Sequence, residues 1–211
     1  MKTTLESGLR ELALPLHDTQ ITQLLNYLDL IQKWNKVYNL TAVRDPAEML
    51  THHLLDSLAV INPLRRQTQA RSVSLLDVGS GAGLPGVVVA ICCPEIEVDC
   101  VDAVGKKAAF IQQAAVTLQL PNLRGVHDRV EKLKRGYDVV CSRAFASLAD
   151  FVTLSSGALA EQGIWMAMKG KMPSVEVESL PPGIEMFHVE QLKVPALDAE
   201  RCIVWMKRAV G

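Results

Sequence analysis

The stretch Leu75-Leu76-Asp77-Val78-Gly79-Ser80-Gly81-Ala82-Gly83-Leu84-Pro85-Gly86 decides the fold. A short apolar run contains the carboxylate of Asp77, glycines then alternate with other residues, and a helix pattern follows. Glycine has no Cβ, so it adopts positive φ angles and lets a ligand approach the main chain. The stretch therefore predicts a strand, a turn and a helix, with a nucleotide-like cofactor against bare backbone at the end of the strand.

Composition and charge restrict the class of protein. The chain has 211 residues, 49% hydrophobic and 21% charged, which suits one α/β domain with an appendage or two small domains. No apolar run approaches the ~20 residues that span a bilayer, and residues 1–10 lack the apolar segment of a signal peptide. We therefore expect a cytoplasmic protein without a membrane partner. The formal net charge of −1 means that any RNA must bind through a local patch.

The cysteines argue against a metal centre. There are five, an odd number, and none shows Cys-x-x-Cys spacing. This pattern indicates neither a zinc site nor a disulfide framework. We expect no bound metal, and cysteines that pack as small apolar side chains.

The chain divides into a helical segment and an alternating segment. Residues 1–70 are expected to form a small N-terminal helical cap, because apolar residues recur at helical spacing and Asp45-Pro46-Ala47-Glu48 indicates a helix start. Residues 71–211 alternate between strand and helix patterns, which predicts a mostly parallel sheet covered on both faces. The expected strands are 73–78, 98–101, 123–126, 139–141 and 164–168, with two closing strands at 187–194 and 202–207.

Two cofactors fit the glycine stretch. Gly81 to Gly86 matches the dinucleotide pattern G-x-G-x-x-G, and Asp102 follows at the distance of a ribose-binding carboxylate. However, the charge of Asp77 would repel a pyrophosphate at the helix start, and Pro85 lacks one of the N–H donors that a phosphate would use. S-adenosylmethionine has no phosphate and carries a sulfonium cation, so the residues favour this methyl donor. Asp102 is also placed to cap the next helix, and the two roles are compatible.

Five segments carry a family resemblance. They are Trp34-Asn35-Lys36-Val37-Tyr38-Asn39-Leu40-Thr41, His53-Leu54-Leu55-Asp56-Ser57, Asp77 to Gly86, Ser142-Arg143-Ala144-Phe145-Ala146 and Met168-Lys169-Gly170. Together they resemble the RsmG family, also called glucose-inhibited division protein B. That family methylates N7 of one guanine in bacterial small-subunit (16S) ribosomal RNA with S-adenosylmethionine.

The resemblance implies a fold and a set of site residues. The implied fold is the α/β, Rossmann-like class I methyltransferase fold, a seven-stranded, mostly parallel sheet with an antiparallel last strand, here with the N-terminal helical cap. The cofactor-binding residues that it implies are Gly79, Leu84, Val130, Glu131 and Arg143, and the glycine and carboxylate pattern adds Gly81, Gly83 and Asp102 to the expected set. Val130 and Glu131 match the segment that borders the adenine.

Arg143 is also the expected catalytic residue. It follows a predicted strand at the sheet edge where open α/β sheets bind ligands, although a surface salt bridge with an acid such as Asp150 would explain it too. Guanine N7 has a free lone pair, so methyl transfer to it needs alignment and desolvation but no general base. We expect Arg143 to bind the cofactor carboxylate, an RNA phosphate or guanine O6, and not N7 itself.

Contacts with RNA are expected near the N-terminal helices. Asn39, Arg44 and Lys169 are the candidate RNA-binding residues, and the partner is small-subunit ribosomal RNA, free or in an assembling subunit. Trp34 and Tyr38, in an expected connection between two helices, offer either stacking faces for bases or a hydrophobic hinge. We expect a monomer, because an enzyme acting on a large RNA needs an uncovered crevice.

Other readings of the same residues stay open. His53 and Asp56 share one helix face, where a structural hydrogen bond is favoured over acid–base catalysis. Cys141 could act as a nucleophile in cytosine-C5 methylation, but a cysteine at the end of a strand is usually packed. A methyltransferase for another RNA or a small molecule, and an NAD-binding oxidoreductase, are the alternative functions.

Overall fold

The computed structural model describes residues 1–143, 145 and 147–209. Ala144 and Ala146 of the segment Ser142–Ala146, and the last two positions of the expected C-terminal region, lie outside the described residues.

Seven strands form one sheet in the order β3-β2-β1-β4-β5-β7-β6. The strands are β1 Ser74–Val78, β2 Glu97–Asp102, β3 Leu123–His127, β4 Tyr137–Arg143, β5 Leu159–Lys169, β6 Ile184–Leu192 and β7 Arg201–Arg208. Strands β1 to β5 pair in parallel, whereas β7 is antiparallel to both β5 and β6. The expected mostly parallel sheet with an antiparallel last strand is confirmed. Because the strand order reverses between β1 and β4, their carboxyl ends flank the crevice where such sheets bind ligands.

Helices precede the sheet and connect its strands. They are α1 Lys2–Glu11, α2 Asp18–Tyr38, α3 Pro46–Met49, a π-helix Leu50–Leu55, α4 Asp56–Leu58, α5 Ile61–Thr68, α6 Gly86–Cys92, α7 Gly105–Thr117, α8 Leu148–Ser155 and α9 Ser174–Glu178. Asp45 caps α3 as expected, since its Oδ1 accepts hydrogen bonds from the amides of Ala47 and Glu48. In the described part of the chain, no helix is both long and apolar enough to cross a membrane.

Helix α2 is longer than the sequence pattern indicates. Residues 33–41 are expected as a connection, yet the helix continues through Tyr38 and ends at Asn39, which has a φ of +48°. Asparagine tolerates this left-handed conformation, so it can end a helix where glycine is more usual. Trp34 and Tyr38 therefore project from a helix and not from a linker.

The two faces of the sheet bury separate apolar clusters. Leu75 and Leu76 point to opposite faces, in keeping with the alternation of side chains along a strand. One cluster joins α1, α2 and the following helices to α6, α7 and one sheet face, and the other packs α8 on the opposite face. The N-terminal helices thus share their core with the sheet, and the division into residues 1–70 and 71–211 stays a prediction.

Candidate active site

The glycine stretch forms a turn that is open on one side. Gly79 and Gly81 have φ angles of +65° and +59°, which side chains rarely adopt. A Cβ on Gly79 would meet no atom within 4 Å, and one on Gly81 would meet only the Gly79 carbonyl oxygen, at 4.0 Å. The backbone at these two positions is therefore bare, as the sequence predicts for a cofactor site.

Gly83 faces the packed interior. A Cβ there would lie 2.5 Å from Cγ2 of Val87 and 3.4 Å from the hydroxyl oxygen of Tyr27. Gly83 is expected among the cofactor-binding residues, but the structure does not bring it to the crevice. Its lack of a side chain serves close packing of the turn against α6 and α2.

Tyr27 fixes the turn from outside the glycine stretch. Its buried hydroxyl donates a hydrogen bond of 2.5 Å to the Ala82 carbonyl oxygen. This residue was not predicted as part of the site. The available signal was its position on the apolar face of α2, between Leu24 and Leu28, where a polar hydroxyl needs a partner.

Asp77 lies beneath the turn and lines neither of the two cavities described below. Its side chain is fully buried, and Oδ2 accepts a hydrogen bond of 2.9 Å from the Gly86 amide at the start of α6. Burial raises the pKa of Asp77 from 3.8 to about 7, against the opposing effects of that hydrogen bond and of Arg143. In this geometry the carboxylate makes a structural contact with the turn.

A cavity of about 250 Å³ opens on one side of Gly79. It brings together three expected site residues, Asp102, Val130 and Glu131, with Phe145 on the wall. The Asp102 carboxylate accepts hydrogen bonds from the Gly81 amide, at 3.0 Å, and the Val104 amide, at 2.8 Å. It therefore ties the glycine turn to Val104, the residue before α7. No side chain caps this helix, so Asp102 does not have the capping role considered above, and its ribose role stays a prediction.

A larger crevice of about 520 Å³ opens on the other side of Gly79. Its lining includes four more of the expected residues, Gly81, Leu84, Arg143 and Lys169. Gly79 lines both cavities, so the two compartments, which differ in size, adjoin at the glycine turn.

Arg143 pairs with Asp56 in the wall of the crevice. Its Nη1 donates to Asp56 Oδ2, at 3.2 Å, and to the His52 carbonyl oxygen, at 3.0 Å. The salt bridge with Asp150 that the sequence suggested is not formed, because Asp150 bonds to Ser147 at the start of α8. The position of Arg143 at the carboxyl end of β4 is as expected.

His53, in the π-helix, and Asp56, directly after it, contact different partners. His53 Nε2 lies 2.7 Å from Thr41 Oγ1, whereas Asp56 binds arginines. The two side chains make structural contacts as predicted, but not with each other, since the wider turn changes the α-helical spacing. Burial lowers the pKa of His53, and the nearby Arg143 lowers it further. The imidazole is therefore neutral at neutral pH.

Of the three candidate RNA-binding residues, Lys169 lines the crevice, and Asn39 and Arg44 lie outside its lining. Asn39 and Arg44 are exposed and hydrogen-bonded to each other at 2.8 Å, beside Thr41, which lines the crevice. Lys169 lines the crevice itself, and its Nζ pairs with Glu176 at 2.8 Å. Their contact with RNA stays a prediction.

The two aromatic residues at the end of α2 have different environments. The Trp34 ring packs edge-on against Phe110 of α7 with a centroid distance of 5.4 Å. This contact agrees with the interpretation of Trp34 as part of a hydrophobic hinge. The Tyr38 ring is partly exposed, and the Lys106 ammonium lies 5.4 Å from its centroid.

Cysteine chemistry is absent from the described site. All five cysteines are free and buried, as expected for small apolar side chains. Burial, together with the nearby Asp77, raises the pKa of the Cys141 thiol well above its ordinary value. The thiol stays protonated, which argues against a nucleophile. The described residues also contain no group of three or more potential metal ligands.

Comparison with known proteins places the chain in a family. The family model described as rRNA small subunit methyltransferase G matches residues 20–204. The chain belongs to this family. A member of the family from Polaromonas sp. (strain JS666) is 67% identical over 207 residues, which cover 96% of this chain and 92% of that protein. A second, from Albidiferax ferrireducens, is 64% identical and covers 99% of this chain and 98% of that protein.

A solved structure of another methyltransferase matches the fold of this chain. Magnesium protoporphyrin IX methyltransferase from Synechocystis PCC 6803, crystallised with bound S-adenosylmethionine, matches with a TM-score of 0.63. The match covers 92% of this chain and 99% of that protein at 13% identity. This similarity shows the class I methyltransferase fold.

Proposed function

We propose that the chain transfers a methyl group from S-adenosylmethionine to N7 of a guanine in small-subunit ribosomal RNA. Family membership and the names of its relatives support ribosomal RNA as the substrate. The observation that carries the proposal is the bare backbone at Gly79 and Gly81 between two adjoining cavities. One cavity suits the donor, and the other leaves room for the acceptor base.

The residues present fit the methyl donor. The smaller cavity offers the Asp102 carboxylate to ribose hydroxyls and the apolar side of Val130 to an adenine. Gly79 and Gly81 leave the space that side chains would fill, so a ligand can pass along the turn between the cavities. When bound, S-adenosylmethionine supplies an electrophilic methyl group on a sulfonium. Glu131 lies on the same wall as Val130 and completes the set that would hold the donor.

The crevice is suited to a reaction without a general base. Two buried titratable side chains of its wall, Asp56 and His53, are engaged by arginines and by Thr41. The neutral imidazole adds no further positive charge to a crevice that already holds Arg143, Lys169 and Arg201, and added charge would oppose the cation that forms on the purine. Guanine N7 presents a lone pair directly, so these residues need only orient the base and exclude water.

The remaining assignments belong to the same proposal. Arg143 acts as the catalytic positioning group at the crevice, and Asn39, Arg44 and Lys169 contact the RNA. The partner is the RNA itself, free or in an assembling small subunit. The enzyme works as a cytoplasmic monomer and without a metal ion.

Mapping the methylated atom tests the proposal. Small subunits and naked 16S ribosomal RNA are incubated with the protein and isotope-labelled S-adenosylmethionine, digested with nucleases and analysed by mass spectrometry. We expect N7-methylguanosine at one position. Label on an exocyclic amine, on a base carbon or only in small metabolites would contradict the proposal.

A glycine substitution tests the cofactor site separately. Gly79→Ala places a methyl group on a left-handed residue facing the cavity, so we expect at least a tenfold loss of S-adenosylhomocysteine affinity in calorimetry. Gly183→Ala is the matched control, because Gly183 also has a positive φ, of +81°, its added Cβ would meet no atom within 4 Å, and it lies outside both cavities. Equal affinities for the two variants would show that the turn does not hold the donor.

A further inference from the structure

The last turn of α2 presents an aromatic ring to solvent. Tyr38 ends this helix, and 42% of its surface is exposed. The Trp34 ring lies one turn earlier, with 5.1 Å between the two ring centroids, and Trp34 itself packs against the core. The Tyr38 ring is therefore supported from inside the fold while a large part of it stays accessible.

Positive charges surround this ring. The ammonium of Lys106, at the start of α7, lies 5.4 Å from the ring centroid, and Arg44 is held near the end of α2 by its hydrogen bond to Asn39. We call Tyr38, Asn39, Arg44 and Lys106 the Tyr38 surface. In the parts of the chain that the structure describes, neither Arg44 nor Lys106 forms a salt bridge.

The neighbouring sequence adds to the positive charge. Residues 30–44 contain no Asp or Glu, and Lys33 and Lys36 of this segment are exposed. The next acid, Asp45, accepts hydrogen bonds from two amides at the start of α3. Although the whole chain has a formal net charge of −1, this part of its surface is therefore cationic.

The Tyr38 surface adjoins both cavities of the candidate active site. Thr41 lines the larger crevice and is three positions from Tyr38, a span of at most about 11 Å along the chain. Lys106 is four positions from Asp102, which lines the smaller cavity. A polymer with one unit in the crevice would thus place an adjacent unit close to the Tyr38 ring.

An unpaired RNA strand has the chemistry that this surface fits. Its bases present flat aromatic faces and its phosphates are negative, and proteins bind such strands by combining aromatic side chains with cations. A protein partner would need carboxylates to match the cations. The RNA is also the substrate of the proposed function, so it is already at the crevice.

We propose that Tyr38 stacks on an unpaired base beside the target guanine, while Lys106 and Arg44 contact the adjacent phosphates. The Lys106 ammonium ends a flexible side chain, so it can move from the ring to a phosphate when the base arrives. This inference rests on the proposed function and deepens it, because it specifies a single-stranded segment next to the target and a residue that reads its shape.

The chain contains a matched control for this surface. Phe187 of β6 is also exposed, at 38%, and the ammonium of Lys207 lies 5.6 Å from its ring centroid. This second pair lines neither cavity, and Lys207 forms a salt bridge with Glu185 at 3.1 Å. Loss of an exposed aromatic ring or of a lysine can therefore be compared at two places on one protein.

Binding of naked 16S ribosomal RNA tests the stacking. Stacking of a base on an aromatic side chain contributes roughly five- to 150-fold to affinity. We expect Tyr38→Ala to raise Kd at least fivefold in filter binding, and Tyr38→Phe, which keeps a flat ring, to stay within about twofold of the wild type. In methylation of small subunits, KM should rise for Tyr38→Ala while kcat and S-adenosylhomocysteine affinity change less than about twofold. Phe187→Ala should behave as the wild type.

The salt dependence of binding tests the lysine separately. Each phosphate contact on a single strand contributes about 0.7 to the slope of log affinity against log salt concentration. Lys106→Ala should reduce the slope by about this amount, and Lys106→Arg should keep it. Tyr38→Ala should leave the slope unchanged, because a ring carries no charge. Lys207→Ala is the charge-matched control and should keep the wild-type slope.

Four results would overturn the inference. Equal Kd values for the wild type and Tyr38→Ala would exclude stacking, and a loss in Tyr38→Phe as large as in Tyr38→Ala would assign the effect to the hydroxyl. Equal losses in Tyr38→Ala and Phe187→Ala would show no preference for this surface. A raised KM for small subunits with an unchanged Kd for naked RNA would assign the surface to a ribosomal protein. If the wild type binds RNA but methylates none, the proposed function fails, and the Kd comparison still decides the stacking.

Discussion

Asp77 is a carboxyl group held in the interior by a single short contact. Only Oδ2 has a hydrogen-bond partner among the described residues, the Gly86 amide, and Oδ1 is buried without one. Burying an ionised carboxylate is costly, so the side chain favours its protonated form. The turn above it is therefore stabilised by a group whose charge changes near neutral pH.

The stability of the protein should depend on pH through Asp77. Its pKa is raised from 3.8 to about 7, so between these values the native state keeps a proton that the unfolded chain has released. The contribution of this group to the free energy of unfolding therefore falls as pH rises from about 4 to about 7. Asp77→Asn cannot ionise and removes that decline.

Urea denaturation at several pH values measures the effect. Asp77→Asn should show a free energy of unfolding that falls less with rising pH than that of the wild type. Asp198→Asn, which changes an exposed carboxylate, should keep the wild-type profile. Parallel profiles for the wild type and Asp77→Asn would contradict the prediction.

At the scale of elements, α2 and the glycine turn are joined by Tyr27. The bond from Tyr27 to the Ala82 carbonyl links a helix of the N-terminal segment to the turn after β1. The two partners are 55 positions apart in the chain. The conformation of the turn is thus determined partly by residues outside the glycine pattern.

Tyr27→Phe tests this link. Without the hydroxyl the buried Ala82 carbonyl loses its partner, which should lower the free energy of unfolding by about 1–3 kcal/mol. The turn should also become less ordered, with a several-fold loss of S-adenosylhomocysteine affinity in calorimetry. Tyr38→Phe removes a partly exposed hydroxyl from the same helix and should change neither quantity. Unchanged affinity in Tyr27→Phe would show that the bond does not support the site.

Elements were more predictable than the contacts between them. Hydrophobic periodicity indicated the strands, and the glycine spacing indicated the turn, because both are local properties of the chain. The end of α2 was misplaced, since residues 33–38 have no strong helix-breaking residue and Asn39 is a weak stop signal.

The site was predicted in part. Asp102, Val130 and Glu131 reach one cavity as expected, because their positions follow strands or match a family segment. The pairing of Asp56 with Arg201 joins residues 145 positions apart, and no local pattern specifies such a contact. The inward face of Gly83 likewise depends on how the turn packs, which its spacing does not reveal.

At the scale of the whole molecule, one apolar cluster joins the N-terminal helices to the sheet. Leu24 and Leu54 of the helical segment belong to the same cluster as Val87 and Trp205. Neither part can bury its apolar surface without the other. We infer that the segments 1–70 and 71–211, although different in pattern, fold as a single unit.

Chemical denaturation tests this inference. We expect one transition in urea, with the same midpoint by circular dichroism and by tryptophan fluorescence. Trp34→Phe leaves the fluorescence to Trp165 and Trp205, so this variant reports on the sheet alone and should still match the circular dichroism curve. Two separate midpoints would show independent domains.

The order of synthesis determines when Asp56, Arg143 and Arg201, the Asp56 cluster, can come together. Its three members lie on α4, β4 and β7, so they leave the ribosome in the first, middle and last parts of translation. Asp56 and Arg143 are made before the final strand, so the contact of Arg201 with Asp56 forms only after β7 has been synthesised. A polypeptide released before β7 is made therefore lacks a side chain of the crevice, even if its glycine turn has formed. The complete crevice exists only in the finished chain.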